Sequence, residues 1–273
     1  KQFFTPVESL DALAAQKLVD ESAAEEIDLV DVRQPKEYES GHIPGAKLIP
    51  LPDLNKRMSE IDPAKVTLVY CAVGGRSRAA AQMLAGAGFK KVINLAGGIK
   101  AWQSNKAVGS EDLGLDLFSG KETPQEALIV AYSLEEGLKD FYLSMIPEVK
   151  NNKTRQLFEK LSTIEKKHQD RIFAEYIKIT GSDLSRNEFA KQVVSPAMEG
   201  GLTTEEYLKL YPTDLDETKE VISLAMAIEA QALDLYQRAA GRASSEARKH
   251  ALTQIANEEL AHLEHLGKLF EEL

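Results

Sequence analysis

The chain has 273 residues, 43% of them hydrophobic and 28% charged, with a formal net charge of −10 and a single cysteine. That length allows two domains of ordinary size, and that balance describes a globular chain rather than a disordered or fibrous one. The composition excludes an internal disulfide and any cysteine-built metal site, and no apolar run of about 18 residues is present to span a membrane.

A lone cysteine favours a reducing compartment, so a cytoplasmic location is expected. No secretory signal is evident, and the opening at Lys1 rather than Met leaves room for an upstream segment. Charge is unevenly shared: residues 1–110 carry a net +1 and residues 111–273 a net −11. An acidic half repels phosphates and argues against nucleic acid as the main partner; most of its charges read as solubilising surface.

In chain order, SLDALAAQKLVD (Ser9–Asp20) reads as a helix and IDLVDV (Ile27–Val32) as a buried strand. AKLIPL (Ala46–Leu51) and VTLVYC (Val66–Cys71) are further strands, followed by a helix over SRAAAQMLAGAG (Ser77–Gly88) and a strand at KVINLAGG (Lys91–Gly98). Strands alternating with helices predict an α/β domain over 1–105, with a parallel sheet covered on both faces. The pattern lapses from Gln103 to Glu122, and 106–122 reads as a linker. Thr123-Pro124-Gln125-Glu126 then combines an N-cap Thr, Pro at the first helical position and Glu three residues after the cap. Helices are predicted at about 124–148, 153–180, 216–240 and 245–272, with Gly181 ending the second. The long connection from Gly181 to Asp216 is expected to hold a short helix at Thr204–Leu210. Domain 123–273 is thus read as an all-α four-helix bundle with one long crossover, a ferritin-like connectivity.

Cys71 lies at the carboxyl end of a predicted strand and Ser77 at the start of a helix, the place where open α/β sheets bind ligands. Between them Ala72, Val73, Gly74, Gly75 and Arg76 form a short loop. The two glycines allow backbone N–H groups to point inward as an anion nest, and the helix terminus and Arg76 add positive potential. These features would hold the thiol as a nucleophilic thiolate at neutral pH. A buried, inert cysteine is the plainer alternative, and the Gly-Gly-Arg sequel weighs against it.

DVRQPKEYESGHIPGA (Asp31–Ala46), the Cys71–Arg76 loop and LAGGIKAW (Leu95–Trp102) resemble, in order and spacing, a rhodanese domain over residues 5–105. The resemblance implies that Cys71 is catalytic, accepting a sulfane sulfur from a small-molecule donor as a persulfide and passing it to a thiol or a cyanide-like acceptor. The six-residue ring from Cys71 to Arg76 is the size rhodaneses use for sulfur; related phosphatases have one residue more, so phosphatase activity is the weaker reading. Asp31, Arg33 and His42 read as scaffold, tying loops through charge-assisted hydrogen bonds and turn contacts.

The helical half hides a repeat. Glu165 and His168, one turn apart on a predicted helix, recur as Glu259 and His262, an offset of 94 residues. Glu135 and Tyr142 recur as Glu229 and Tyr236 at the same offset. Each marked Glu is in register with apolar residues and is predicted to face the bundle core. Four buried carboxylates would be costly unpaired, whereas two divalent cations would cancel their charge. With two imidazoles they make a mixed oxygen and nitrogen donor set that suits iron or manganese. Glu136, Glu258 and His265 adjoin these motifs but point elsewhere on the helix or lie a turn further along.

Residues 123–273 accordingly resemble the ferritin-like superfamily, in particular rubrerythrin-type domains. The resemblance implies two iron ions (manganese or a mixed pair being alternatives) held by Glu135, Glu165, His168, Glu229, Glu259 and His262, with Glu165 and Glu259 bridging. It implies reaction with peroxide or dioxygen, an external electron donor, and Tyr142 and Tyr236 packed or hydrogen-bonded nearby. Two departures are visible: no cysteines remain to build a rubredoxin domain, and Ala232 stands where rubrerythrins often place another carboxylate. Bundles of this type frequently pair through an exposed helix face, so a homodimer is an open expectation. Three readings follow: a sulfurtransferase fused to a di-iron oxidoreductase that links sulfur handling to oxidative stress; an iron-binding, ferroxidase or storage module with a regulatory rhodanese domain; and a non-catalytic binding protein.

Overall fold

The computed structural model describes residues 6–22, 26–118, 120–192 and 198–272. They form two compact units, Lys1–Glu111 and Asp112–Leu273. No helix among the described residues is long and apolar enough to cross a membrane.

The first unit runs β1 (Glu8–Leu10), α1 (Ala12–Glu21), β2 (Ile27–Asp31), α2 (Pro35–Glu39), β3 (Lys47–Leu48), α3 (Leu54–Arg57), β4 (Val66–Tyr70), α4 (Gly75–Gly86) and β5 (Lys91–Leu95). Every strand pair is parallel, in the order β1-β5-β4-β2-β3. Strand alternation splits the core between the two faces of the sheet. Leu29, Leu68, Tyr70, Ile93 and Leu95 pack in one cluster. Val30, Val32, Val69, Cys71 and Val92 pack in the other, with Ala80, Ala81 and Leu84 of α4.

The structure departs from the sequence reading at element edges. Ser9 and Leu10, predicted to open a helix, belong to β1, where Ser9 pairs with Asn94 of β5. The helix starts only after Asp11, whose carboxylate accepts from the Ala14 N–H at 2.8 Å. A strand of three residues is too short to show periodicity. The strand predicted over Ala46–Leu51 shrinks to Lys47–Leu48, because Pro50 and Pro52 cannot donate to a ladder and the chain turns into a 3-10 helix at Leu51–Asp53. β5 stops at Leu95, because Gly97 and Gly98 both take positive φ.

The second unit contains α5 (Pro124–Met145), α6 (Asn152–Thr180), α7 (Arg186–Ala190), α8 (Thr204–Leu210), α9 (Thr218–Arg242) and α10 (Glu246–Glu271). α5 packs along α6 and α9 along α10, and α5 also meets α10. The start of α5 is a capping box: Glu126 N–H donates to Thr123 Oγ1 at 3.2 Å, and Thr123 N–H to the Glu126 carboxylate at 2.7 Å. Gly181, at φ 62°, ends α6 and donates to the Ile177 carbonyl. α5 ends before Pro147, three residues sooner than predicted. α9 begins two residues later than predicted: Asp216 lies outside it, accepting from the N–H groups of Lys150 and Asn151 at the head of α6.

The stretch predicted as a linker over 106–122 is divided between the units. In the first, Ala107 exchanges backbone hydrogen bonds with His42. In the second, Leu115 and Phe118 enter the bundle core, and Arg238 donates to the Leu113 carbonyl at 2.9 Å.

Candidate functional sites: a thiol loop and a carboxylate–histidine centre

β4 delivers Cys71 to the carboxyl edge of the sheet, and the chain turns at Gly74 (φ 97°) directly into α4. The turn is clasped from behind. Ile99 and Lys100 N–H groups bond the carbonyls of Cys71 and Ala72 at 2.8 and 3.2 Å. A side chain at Gly98 would lie 2.3 Å from the Cys71 carbonyl oxygen, so the approach demands glycine. The sulfur itself is buried, only 1% of Cys71 being exposed. Gly74 N–H donates to Sγ at 3.1 Å and the Ser77 hydroxyl approaches it at 3.4 Å. Burial pushes the Cys71 thiol up, but hydrogen bonds from the Ser77 side chain and from the backbone of Ser77, Val73 and Gly74 outweigh it and hold it below its usual value.

Of the predicted loop residues Ala72, Val73, Gly74, Gly75 and Arg76, the backbone of Val73 and Gly74 bonds the sulfur, and Arg76 bears on it through charge and a side-chain hydrogen bond, as expected. Arg76 is at the same time paired with a second anion. Both terminal guanidinium nitrogens donate to the Glu37 carboxylate of α2, at 2.8 and 2.7 Å. Glu37 is 39 residues upstream, and nothing in the spacing of the sequence announces the pair. Ser77, expected only as the start of a helix, and Asn94, in no motif, also belong to the site. Asn94 is 2% exposed; its amide oxygen accepts from Ser77 Oγ at 2.6 Å and its nitrogen donates to Ser9 Oγ at 3.1 Å. A polar residue inside the apolar run KVINL was its available signal. Asp31 and Arg33 form a buried bidentate pair, and Arg33 also holds the Gly41 carbonyl at 2.7 Å. His42 stacks on Tyr38, ring centroids 3.6 Å apart, and its Nδ1 meets the Tyr38 carbonyl at 3.0 Å.

In the bundle, α5 brings Glu135, α6 Glu165 and His168, α9 Glu229, and α10 Glu259 and His262, all six buried. They form two triads, Glu135–Glu165–His168 and Glu229–Glu259–His262, each with one donor atom per residue within 4.8 Å of the others. His168 Nδ1 lies 2.8 Å from Glu165 and 3.5 Å from Glu135. His262 Nδ1 lies 3.0 Å from Glu259 and 3.4 Å from Glu229, so the triads share one geometry. They also meet, for the two imidazoles stack with centroids 3.5 Å apart and planes 4° off parallel.

The donor set fits a pair of cations. Glu165 Oε1 and His262 Nε2 are buried without a hydrogen-bond partner. Orphaned buried polar atoms are expensive, and an acceptor oxygen and a ring nitrogen left over beside two Glu/Glu/His triads point to a ligand. Glu136 and Glu258 turn away: Glu136 pairs with Lys139 and Gln169, and Glu258 lies 3.9 Å from Arg171. His265 is exposed. Tyr142 packs with Phe141 and Phe158, and Tyr236 meets Phe118 edge-on.

A parallel sheet with a hydrogen-bonded thiol at its carboxyl edge, followed by a bundle with paired Glu/Glu/His triads, defines a two-domain fusion of a sulfur-loop domain and a carboxylate–histidine bundle. Residues 14–105 match the rhodanese-like domain family and residues 126–270 the rubrerythrin family. The second match spans more than half of the chain, and the chain belongs to the rubrerythrin family, with a rhodanese-like domain ahead of its bundle.

Relatives match the first domain. The chain is 47% identical over 74 residues to the uncharacterized protein YqhL of Bacillus subtilis, covering 27% of this chain and 59% of that protein. It is 39% identical over 97 residues to the putative sulfur carrier protein YrkF of the same organism, covering 36% and 50%. It is 41% identical over 88 residues to a sulfurtransferase of Allochromatium vinosum, covering 32% and 79%. The chain therefore spans less than two thirds of the length of the first two of these. Among solved structures, a rhodanese-like domain protein from Staphylococcus aureus is 28% identical, with a TM-score of 0.35, over 38% of this chain and 100% of that one.

Proposed function

We propose that the chain joins sulfur transfer through a persulfide on Cys71 to redox chemistry at a di-iron centre held by Glu135, Glu165, His168, Glu229, Glu259 and His262. For the first domain, the single observation that supports the reading is a buried sulfur surrounded by donors that favour its thiolate. The thiolate attacks the sulfane sulfur of a small donor; a new S–S bond forms, the old one breaks, and the leaving group departs with its electron pair. An acceptor thiolate then removes the outer sulfur and returns Cys71 to its thiolate. The same N–H groups hold the charge in the resting and sulfur-loaded forms. Intact-mass measurement after incubation with a sulfane sulfur donor is expected to show the mass of one added sulfur atom, absent in Cys71→Ser. An adduct that persists in the variant overturns the reading.

For the second domain the supporting observation is the meeting of two buried triads at stacked imidazoles. Two iron ions bound there would supply electrons to peroxide or dioxygen as they cycle between ferrous and ferric states. The chain's own part is to hold oxygen and nitrogen donors at fixed spacing and to exclude water. Ala131, Leu134 and Leu138 on α5 and Ile228, Ala232 and Leu252 across the bundle are buried around the helix turns that carry the ligands. Electrons are taken to come from an external donor, since the sequence holds no further cysteine for a rubredoxin centre. Metal analysis of protein grown with iron is expected to find about two ions per chain. Reduced protein is expected to reoxidise faster with peroxide than with air; equal rates favour the iron-binding or ferroxidase reading. Buried Ala232, one turn beyond Glu229, offers no further carboxylate and is the observation on that side.

A further inference from the structure

The thiol loop is built to stabilise charge on its own sulfur, and its means of doing so are already engaged. The backbone of Val73, Gly74 and Ser77 serves Cys71 Sγ. Arg76 is the one cation in the Cys71–Ser77 loop. Its guanidinium is held end-on by Glu37 through two hydrogen bonds of 2.7 and 2.8 Å, the strong bidentate geometry. Glu37 is itself fixed, because the same carboxylate accepts from the Gln34 N–H at 3.1 Å at the head of α2. The hydrogen bond from Arg76 holds the Glu37 carboxyl down to about 2, so the pair stays ionised through the neutral range. Beside it Val73 presents an apolar side chain to solvent, 60% exposed. An incoming dianion therefore meets a guanidinium already paired with Glu37 and engaged by Cys71, an apolar residue, and a sulfur whose surroundings favour the thiolate.

We propose that Glu37 is a specificity-determining residue: by masking Arg76 it turns the site away from thiosulfate and toward sulfane sulfur carried on an organic group, an alkyl persulfide R–S–SH. The proposal rests on the persulfide chemistry assigned to Cys71 above. The step balances without an added oxidant or reductant. Cys71–S⁻ attacks the outer sulfur of R–S–SH, the Sγ–S bond forms and the R–S–S bond breaks. R–S⁻ leaves with the electron pair and takes the proton of the outer sulfur, so the products are Cys71–S–S⁻ and R–SH. With thiosulfate the leaving group would be sulfite, and thiosulfate itself is a dianion that the masked guanidinium does not draw in.

The test is steady-state kinetics on the full chain with two donors, thiosulfate and the persulfide of 2-mercaptoethanol, and one acceptor thiol. Wild-type protein is expected to favour the alkyl persulfide in kcat/KM and to show little salt dependence with thiosulfate. Glu37→Gln keeps an acceptor for the Gln34 N–H but removes the charge that masks Arg76. It is expected to raise the thiosulfate-to-persulfide ratio of kcat/KM about tenfold, or ~1.4 kcal/mol, mainly through the KM for thiosulfate, and to make the thiosulfate reaction salt-sensitive. The gain is expected to vanish in Glu37→Gln/Arg76→Gln. An unchanged ratio in Glu37→Gln, or the same gain in the double variant, overturns the proposal. So does a wild-type preference for thiosulfate, which needs no variant to fold. Failure of the underlying persulfide chemistry is read separately, as turnover of both donors by Cys71→Ser.

Discussion

Ser77 has one hydroxyl hydrogen and two claimants for it, the Asn94 amide oxygen at 2.6 Å and the Cys71 sulfur at 3.4 Å. The thiolate is the stronger acceptor, so ionisation of Cys71 draws that hydrogen toward sulfur. Asn94 then meets the hydroxyl as a donor by turning its amide, and Ser9, an alcohol, serves it in either sense. Ser77→Ala removes a donor to the charged form only. The thiol midpoint, which hydrogen bonding holds below its usual value, is expected to rise by about one pH unit. Because only thiolate reacts, alkylation by iodoacetamide is expected to be slower in the variant near pH 7 and to converge with wild type near pH 10. A variant that tracks wild type throughout would show that Ser77 does not tune the sulfur. At this scale Cys71 and its loop were legible from types and order alone. Glu37 was not, because a salt bridge across 39 residues leaves no local pattern.

An element must deliver each of these side chains, and the two domains do so by different means. In the sheet, delivery depends on close backbone approach. Gly98, at φ 59°, lets the turn after β5 lie against the Cys71–Val73 backbone, where a Cβ would sit 2.3 to 2.6 Å from three backbone atoms. Backbone cannot swing aside as a side-chain tip can. Gly98→Ala is expected to cost about 2 kcal/mol or more in urea unfolding, and to slow persulfide formation as the loop shifts. Stability within a few tenths of a kcal/mol of wild type would mean that this clasp is slack. In the bundle, delivery depends on periodicity. A Glu and a His three apart share a helix face whatever the neighbours do, and the 94-residue offset repeats that face on α9 and α10. The repeat therefore foretold both triads from spacing. It could not foretell α7, because Arg186–Ala190 is too short for periodicity to register. The capping box Ser185/Glu188 was its one local sign, with the Glu188 N–H reaching Ser185 Oγ at 3.4 Å.

For the molecule as a whole, the acidity of the second half has two parts, a solvated surface and four carboxylates buried at one point of the bundle. The buried part destabilises the fold unless a positive charge accompanies it. Cations that bind the native centre and not the unfolded chain stabilise by mass action, about 2.7 kcal/mol at a hundredfold excess over Kd. Removing metal with a chelator is thus expected to lower the unfolding midpoint of the helical signal by about 5–10 °C, and re-addition of ferrous iron under anaerobic conditions to restore it. A midpoint indifferent to chelator and iron would contradict the assignment of the triads to metal.

The sequence by itself determined the two architectures, the candidate sulfur nucleophile and the six candidate metal ligands. Each of these is written in local order: alternation in strands, helical spacing in the bundle, a glycine loop between strand and helix. Only the tertiary structure decided how Arg76 is employed, that Ser9 and Asn94 stand beside Ser77, that Gly98 must be bare, and that the two triads touch through stacked imidazoles. Those facts join residues far apart in the chain. Periodicity reports which way a side chain faces its own element, whereas the partner it meets depends on how elements pack.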